Sequence, residues 1–219
     1  MNWSTSALQA FMRQTVYRML PYATVAANGW GRYFTLQDAV DAGHKWIVVR
    51  SGTYEIASGP VTIADDDVMV EGAGYSTYFK STGATGTLSF TGDRCVCKNL
   101  SVYNGPGGGG GGNSAFYSGG DDCFIFGVTV RDSDNIGLYV NGSRTLVLAC
   151  RVITADSHGF YGDNSSDLSV WVANHSQGVD SNNGMTLASA ANGSVMVANY
   201  AMSGYSDLST GSTVANNEP

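Results

Sequence analysis

"CFIFGVTVRDSDNIGLYVNGSRTLVLACRVITADSHGFYG", residues 123–162, holds one unit written twice. "CFIFGVTVRDSDN" from Cys123 and "TLVLACRVITADSH" from Thr145 open the two copies, and "GLY" at 137–139 matches "GFY" at 159–161. Each copy sets β-branched and aromatic residues in short runs and breaks them with Gly, Asn and Asp, the pattern of strands parted by turns. The unit recurs on both sides. Kindred segments begin at Asp67, Arg94, Asp167 and Gly193, so successive starts lie 22 to 29 residues apart. "VAN" also recurs, at 172–174, 197–199 and 214–216. One such unit cannot bury its apolar face alone. Stacked units lay each strand about 4.8 Å from its counterpart, and alternate Val, Ile, Leu, Phe and Cys then form columns inside a tube. The reading is an all-β solenoid. Leucine-rich repeats have a similar period, but their regularly placed leucines are missing.

Composition agrees. Of 219 residues, 43% are apolar and only 13% charged, with 29 Gly and 4 Pro, which suits one turn-rich β domain. The net charge is −7, and the 11 basic residues are scattered. No basic stripe exists to neutralise phosphates, so neither nucleic acid nor an anionic membrane surface is an expected partner. No run approaches the ~20 apolar residues of a membrane span. Cys95, Cys97, Cys123 and Cys150 lack CxxC spacing and a nearby His, so they read as buried small hydrophobes. No metal and no cofactor is expected. The N-terminus has neither a basic n-region nor a continuous apolar core, which points to folding in a cytoplasm.

The first 45 residues differ from the rest. Leu8, Phe11, Met12, Val16, Met19 and Leu20 fall near helical spacing, and Pro21 ends the pattern. That helix either packs on its own domain or, as residues 1–32, forms a segment that docks on a partner. "TLQDAVDAGH", residues 35–44, opens with Thr35 and Asp38 in a capping arrangement and presents Leu36, Ala39 and Val40 on one side. "WIVVRSGTYEI", residues 46–56, reads as strand, Gly turn, strand. The run Gly107–Gly112 interrupts the repeat where its spacing is longest. Residues 105–113 therefore read as a loop let out of one coil, either inert or a contact loop in which Gly107 and Gly110 meet a partner's backbone.

Residues 35–79 resemble the opening of pectate-lyase-type right-handed parallel β-helices. Thr35, Leu36, Ala39 and Val40 match that family's capping helix. Gly52, Thr53 and Tyr54 match its first turn, and Val68, Val70, Gly72 and Gly74 its first coil. The resemblance implies a right-handed parallel β-helix over residues 33–219. In style the chain is also similar to β-helical structural proteins of tailed bacteriophages. That likeness implies a virion protein assembled in a bacterial host's cytoplasm and forming a homotrimer.

Three chemistries are open to such a chain. Lyases of this fold hold Ca²⁺ on acidic residues and use an Arg or Lys base; Asp65, Asp66 and Asp67 lie in a turn, and Arg131, Arg144 and Arg151 lack an acidic cluster. Glycoside hydrolysis needs paired carboxyls. Asp134 and Asp156 occupy equivalent places in adjacent repeats, with Asp132 close by, yet Asp is also ordinary turn chemistry. His44, His158 and His175 sit at unlike offsets. Tyr117, Tyr139 and Tyr161 recur every 22 residues and should stack as a column. The expected function is therefore a non-enzymatic virion structural protein, foremost a trimeric head decoration or cement protein bound to the major capsid protein or another virion protein. The alternatives are a tail-associated receptor-binding protein or tailspike glycan depolymerase, which would meet a host surface glycan, and a cellular polysaccharide lyase or hydrolase.

Overall fold

A computed structural model describes residues 22–29, 31–57, 59–81, 83, 86–104, 114–179, 183–189, 191–208, 211–215 and 217. The expected docking residues Leu8, Phe11, Met12, Val16, Met19 and Leu20, and the loop with Gly107 and Gly110, lie outside them.

The described residues wind as a three-sided prism, a parallel β-helix. Sheet A stacks β1 (Tyr22–Val25), β2 (Trp46–Val49), β5 (Met69–Gly72), β8 (Val96–Lys98), β11 (Phe124–Phe126), β14 (Leu146–Leu148), β17 (Val170–Val172), β20 (Val195–Val197) and β23 (Thr213–Ala215). Sheet B stacks β3 (Gly52–Ile56), β6 (Thr77–Ser81), β9 (Ser101–Asn104), β12 (Thr129–Ser133), β15 (Arg151–Val152), β18 (His175–Ser176) and β21 (Tyr200–Ala201). Sheet C stacks β4 (Val61–Ile63), β7 (Leu88–Phe90), β10 (Phe116–Ser118), β13 (Ile136–Val140), β16 (His158–Gly162), β19 (Met185–Leu187) and β22 (Tyr205–Asp207). The chain visits A, B and C in turn. The solenoid begins earlier than residue 33: β1 pairs in parallel with β2, Thr24 opposite Val48. Alternation in "YATV" gives β1 one inward face, with Ala23 and Val25 buried.

Helix α1 (Leu36–Asp41) closes the first coil. The Thr35 hydroxyl accepts from the Asp38 amide at 3.1 Å, and Leu36 and Ala39 are buried beneath it. Val40 packs against the same core.

Each corner has its own chemistry. Between sheets A and B, Asn99, Gly127, Ala149, Ala173 and Ala198 take the left-handed conformation, with φ of 51–61°. The residue after each points inward and is buried: Leu100, Val128, Cys150, Asn174 and Asn199. In the last coils this becomes an asparagine ladder. Asn174 Oδ1 accepts from the Cys150 amide at 2.9 Å, and its Nδ2 donates to the Val147 carbonyl at 3.0 Å. Asn199 does the same for Asn174 and Trp171. Asn217 Oδ1 accepts from the Asn199 amide at 2.7 Å. The third "VAN" is thus one residue out of register: Ala215 pairs with Val197, so Asn217 takes the ladder position rather than Asn216. The corner between B and C varies in length. In sequence, residues 105–113 fall between β9 and β10.

All four cysteines are free and buried in the prism. Burial holds the Cys97 thiol well above the usual thiol range and pushes Cys150 up to about 12. The interior columns are as the alternation predicts in all three sheets, with Ile125, Val147, Trp171 and Met196 inward from sheet A. The alternation fails on the other side of sheet A. Phe124, Leu146, Val170 and Val195 form one outward column, and Phe126, Leu148, Val172 and Val197 form the next. Apolar residues therefore stand both inside and outside this sheet, the pattern of a parallel sheet covered on both faces.

Glycine controls coil spacing at one corner. A methyl group on Gly142 would overlap the Gly120 carbonyl oxygen of the coil before it. Gly142→Ala should cost about 1–3 kcal/mol by forcing two coils apart, read as a lower urea midpoint at unchanged m-value.

Candidate functional site

The corner before sheet A carries a charge ladder. Asp67, Arg94, Asp122, Arg144 and Leu168 adopt left-handed φ there. Arg94 donates to Asp67 at 2.7 Å and Asp66 at 3.1 Å, Arg144 to Asp122 at 2.7 Å and Asp121 at 3.2 Å, and Lys45 to Asp65 at 3.0 Å. The acidic turn 65–67 is therefore neutralised by cations one coil away, and Arg144 is engaged as a structural partner. Hydrogen bonds from Arg94 and Arg144 hold the Asp67 and Asp122 carboxyls below their usual range. A depressed folded pKa means stabilisation present above the unfolded value, near 3.8, and lost as pH falls through the folded value. Arg144→Gln should move the Asp122 titration midpoint upward in a carboxyl NMR titration, with Asp67 unmoved.

Asp132, Asp134 and Asp156 lie at the end of β12 and the corner leading to sheet C. Asp132 stands opposite Tyr103. The Asp156 amide donates to the Ser133 carbonyl at 3.0 Å and Ile136 pairs with His158, which puts Asp134 and Asp156 at one position in adjacent coils. A cleft of about 440 Å³ opens elsewhere, between α1 and the first coils, lined by Phe34, Gln37, Tyr54, Ile56, Pro60 and Phe79 among others. None of the three aspartates reaches it. The histidines stay apart as well: His44 Nε2 meets the Tyr33 hydroxyl at 2.9 Å, His158 stacks edge-on against Tyr161, and His175 against Tyr200. Among the described residues no group of three or more His, Cys, Asp or Glu comes together to hold a metal ion, and no helix is long and apolar enough to cross a membrane.

On sheet C the tyrosine column forms. Tyr117, Tyr139 and Tyr161 stand one above another, with ring centroids 5.3 and 5.5 Å apart in edge-to-face contact. The Tyr139 hydroxyl donates to Asp163, and Asn141 Nδ2 donates to the Tyr117 hydroxyl at 3.3 Å. Burial, reinforced by Asp163, pushes the Tyr139 hydroxyl well above the usual phenol range.

The densest exposed constellation is on sheet B. Thr129 and Val130 pair with Ser101 and Val102, but Asp132 pairs with Tyr103, so Arg131 is the extra residue of a β-bulge. The bulge sends its guanidinium between two rings, 3.9 Å from the Tyr75 centroid and 4.0 Å from that of Tyr78. Arg131 Nη2 donates to the Tyr75 carbonyl at 2.7 Å, while its Nε is buried with no hydrogen-bond partner among the described residues. Tyr75, held on a 3-10 turn at Gly74–Ser76, is 57% exposed. Tyr103 meets Tyr78 edge-on at 6.4 Å, and Lys80 with Glu55 borders the patch. Further along, Arg151 donates to Gln177 Oε1 at 2.9 Å. The sequence pointed to Arg131 only as a basic residue without an acidic cluster, and nothing in it joined Arg131 to Tyr75, Tyr78 and Tyr103. The contact spans 56 residues and depends on one bulge.

No protein-family model matches the chain, and no curated protein matches its sequence. Solved structures do match. The catalytic domain of a GH87 α-1,3-glucanase, in a complex with tetrasaccharides, aligns with a TM-score of 0.62 and 15% identity over 90% of this chain and 40% of that one. Pectin methylesterase from carrot gives 0.52 and 15% over 89% and 83%. Pectin methylesterase PemA from Erwinia chrysanthemi gives 0.59 and 14% over 84% and 66%. The chain spans well under half of the glucanase domain. At this identity the likeness is one of fold, and it places the chain among right-handed parallel β-helices.

Proposed function

We propose that this β-helix binds a glycan on the outer face of sheet B without cleaving it, and serves as a tail-associated receptor-binding component of a phage particle. The observation that carries the reading is the Tyr75–Arg131–Tyr78 sandwich. It presents an exposed aromatic ring beside a fixed cation, backed by Tyr103 and flanked by hydrogen-bonding side chains. Sugars are recognised by that combination: an apolar ring face against C–H groups and a few placed polar groups for the hydroxyls. The structural neighbours act on polysaccharides, which supports a glycan as the ligand class.

Titration of host-surface polysaccharide into the wild type, Tyr75→Ala and Arg131→Gln tests this. Tyr75→Ala should weaken binding by about tenfold, near 1.4 kcal/mol, with the fold intact by circular dichroism. Binding unaffected by both changes would exclude the site. New reducing ends that vanish in Asp134→Asn/Asp156→Asn would move the protein to the depolymerase class.

A second reading, the head decoration protein, draws on the apolar outer face of sheet A, which suits a chain built to assemble. Copy number separates the two. Abundance near that of the major capsid protein in purified particles favours decoration, a few copies favour the tail, and absence from particles sinks both.

A further inference from the structure

We propose that the sheet B patch is one end of a longer track for an acidic polysaccharide, which lies along the prism axis from Tyr75 to Tyr200. The inference rests on the glycan-binding reading and adds the charge, length and direction of the ligand. Strand register places Tyr78, Ser101, Thr129, Arg151, His175 and Tyr200 in one outward line across sheet B. Aromatic platforms stand at both ends. Tyr200 is 38% exposed, and His175 packs edge-on against it at 4.7 Å, much as Tyr103 backs Tyr78. Between them come the small hydroxyl side chains of Ser101 and Thr129, then Arg151. Five strand spacings of ~4.8 Å set the two platforms about 24 Å apart. One spacing is close to the advance of one sugar along an extended polysaccharide, so each coil meets one sugar and the whole line about six.

The charge of the ligand follows from which cations are left uncompensated. Lys45, Lys80, Lys98, Arg94 and Arg144 each pair with a carboxylate. Among the described residues Arg131 and Arg151 make no such pair. Arg131 donates to the Tyr75 carbonyl and Arg151 to the Gln177 amide oxygen, neutral acceptors that leave both guanidinium charges standing. Arg151 is opposite Thr129, two residues before Arg131, so the two arginines are diagonal neighbours in adjacent coils. On a chain of net charge −7 such a pair selects an anion. The planar guanidinium fork fits a carboxylate, which points to uronic or related acidic sugars. The carboxylates of this face lie off the line. Glu55 is held by Lys80 at 3.6 Å, and Asp132 stands opposite Tyr103 in the next column.

The test presents the full chain with an immobilised panel of acidic and neutral bacterial polysaccharides. Calorimetry follows, with fragments of increasing length from the best binder and with their carboxyl-reduced forms. Affinity should rise with length up to about six sugars, the span set by the strand spacing, and then level off. Carboxyl reduction should weaken binding by about 10- to 100-fold, the worth of a charge-assisted hydrogen bond. Arg151→Gln should weaken the acidic fragments and leave the reduced ones unchanged. Tyr200→Ala should weaken long fragments about tenfold and leave those too short to span the line unchanged. Both side chains are exposed, so both variants should keep the wild-type melting temperature. Equal affinity for acidic and carboxyl-reduced fragments overturns the charge assignment. A plateau at fragments shorter than half the line, or indifference to Tyr200→Ala, overturns the length. In either case binding that still depends on Tyr75 leaves the glycan site itself standing. No binder in the panel, or binding indifferent to Tyr75→Ala, defeats that reading and this inference together.

Discussion

Trp171→Ala should lower the stability of the last coils by about 3–5 kcal/mol, the range for truncating a large buried aromatic. The indole is 1% exposed and sits in the inner column of sheet A between Val147 and Met196. Phe160 meets it edge-on at 6.3 Å. Across the prism, Gly162 makes room for it: a methyl there would stand 3.3 Å from the indole and closer still to Leu187 and Ser166. Val147, Met196 and Phe160 border the space the indole fills, and closing it fully would have to distort the neighbouring coils. A solenoid is held by contacts between neighbouring coils, which confines the damage. Amide exchange should speed up in β14, β17 and β20 while β2 and β5 keep their protection. A loss under about 1 kcal/mol in urea denaturation would mean that the corner rearranges around the gap.

Asn174→Ala is the second large effect, at about 3–4 kcal/mol. The side chain is 1% exposed and serves two backbone groups of the preceding coil, the Cys150 amide and the Val147 carbonyl. Its Nδ2 also donates to Asn199 Oδ1 at 3.0 Å. Removal leaves the buried Cys150 amide without its acceptor, at about 1–3 kcal/mol, takes one of its donors from the Val147 carbonyl, and leaves an unfilled volume in the wall of the prism. The asparagines stand where earlier coils carry apolar side chains: Leu100 and Val128 hold the equivalent positions. Asn174→Leu should restore volume but not stability, a result that separates lost hydrogen bonding from lost packing. Equal stability of the Leu variant and the wild type would show that the ladder is dispensable.

Much of the architecture was legible because it is local. The Thr35 cap, the strand–turn–strand of residues 46–56, the coil starts at Asp67, Arg94 and Cys123 and the tyrosine column all follow from turn chemistry and a two-residue period, which adjacent residues specify. The candidate site was legible only in fragments. Asp134 and Asp156 are one repeat apart in the sequence, so their stacking could be read. The Arg131 sandwich could not, because it depends on a bulge that no turn residue announces.

By itself the sequence determined that strands would stack in parallel coils, where those coils begin and that the cysteines would be buried. Only the tertiary structure decided that Asn217 rather than Asn216 completes the ladder, that Arg94 and Arg144 neutralise the acidic corner, that Arg131 lies between Tyr75 and Tyr78, and that sheet A is apolar on both faces. The reason is physical. "FIF", "LVL", "VWV" and "VMV" put an apolar residue on every side of the strand, so alternation alone cannot say which face meets solvent. That choice is made by the coils above and below, whose register fixes the two columns facing outward.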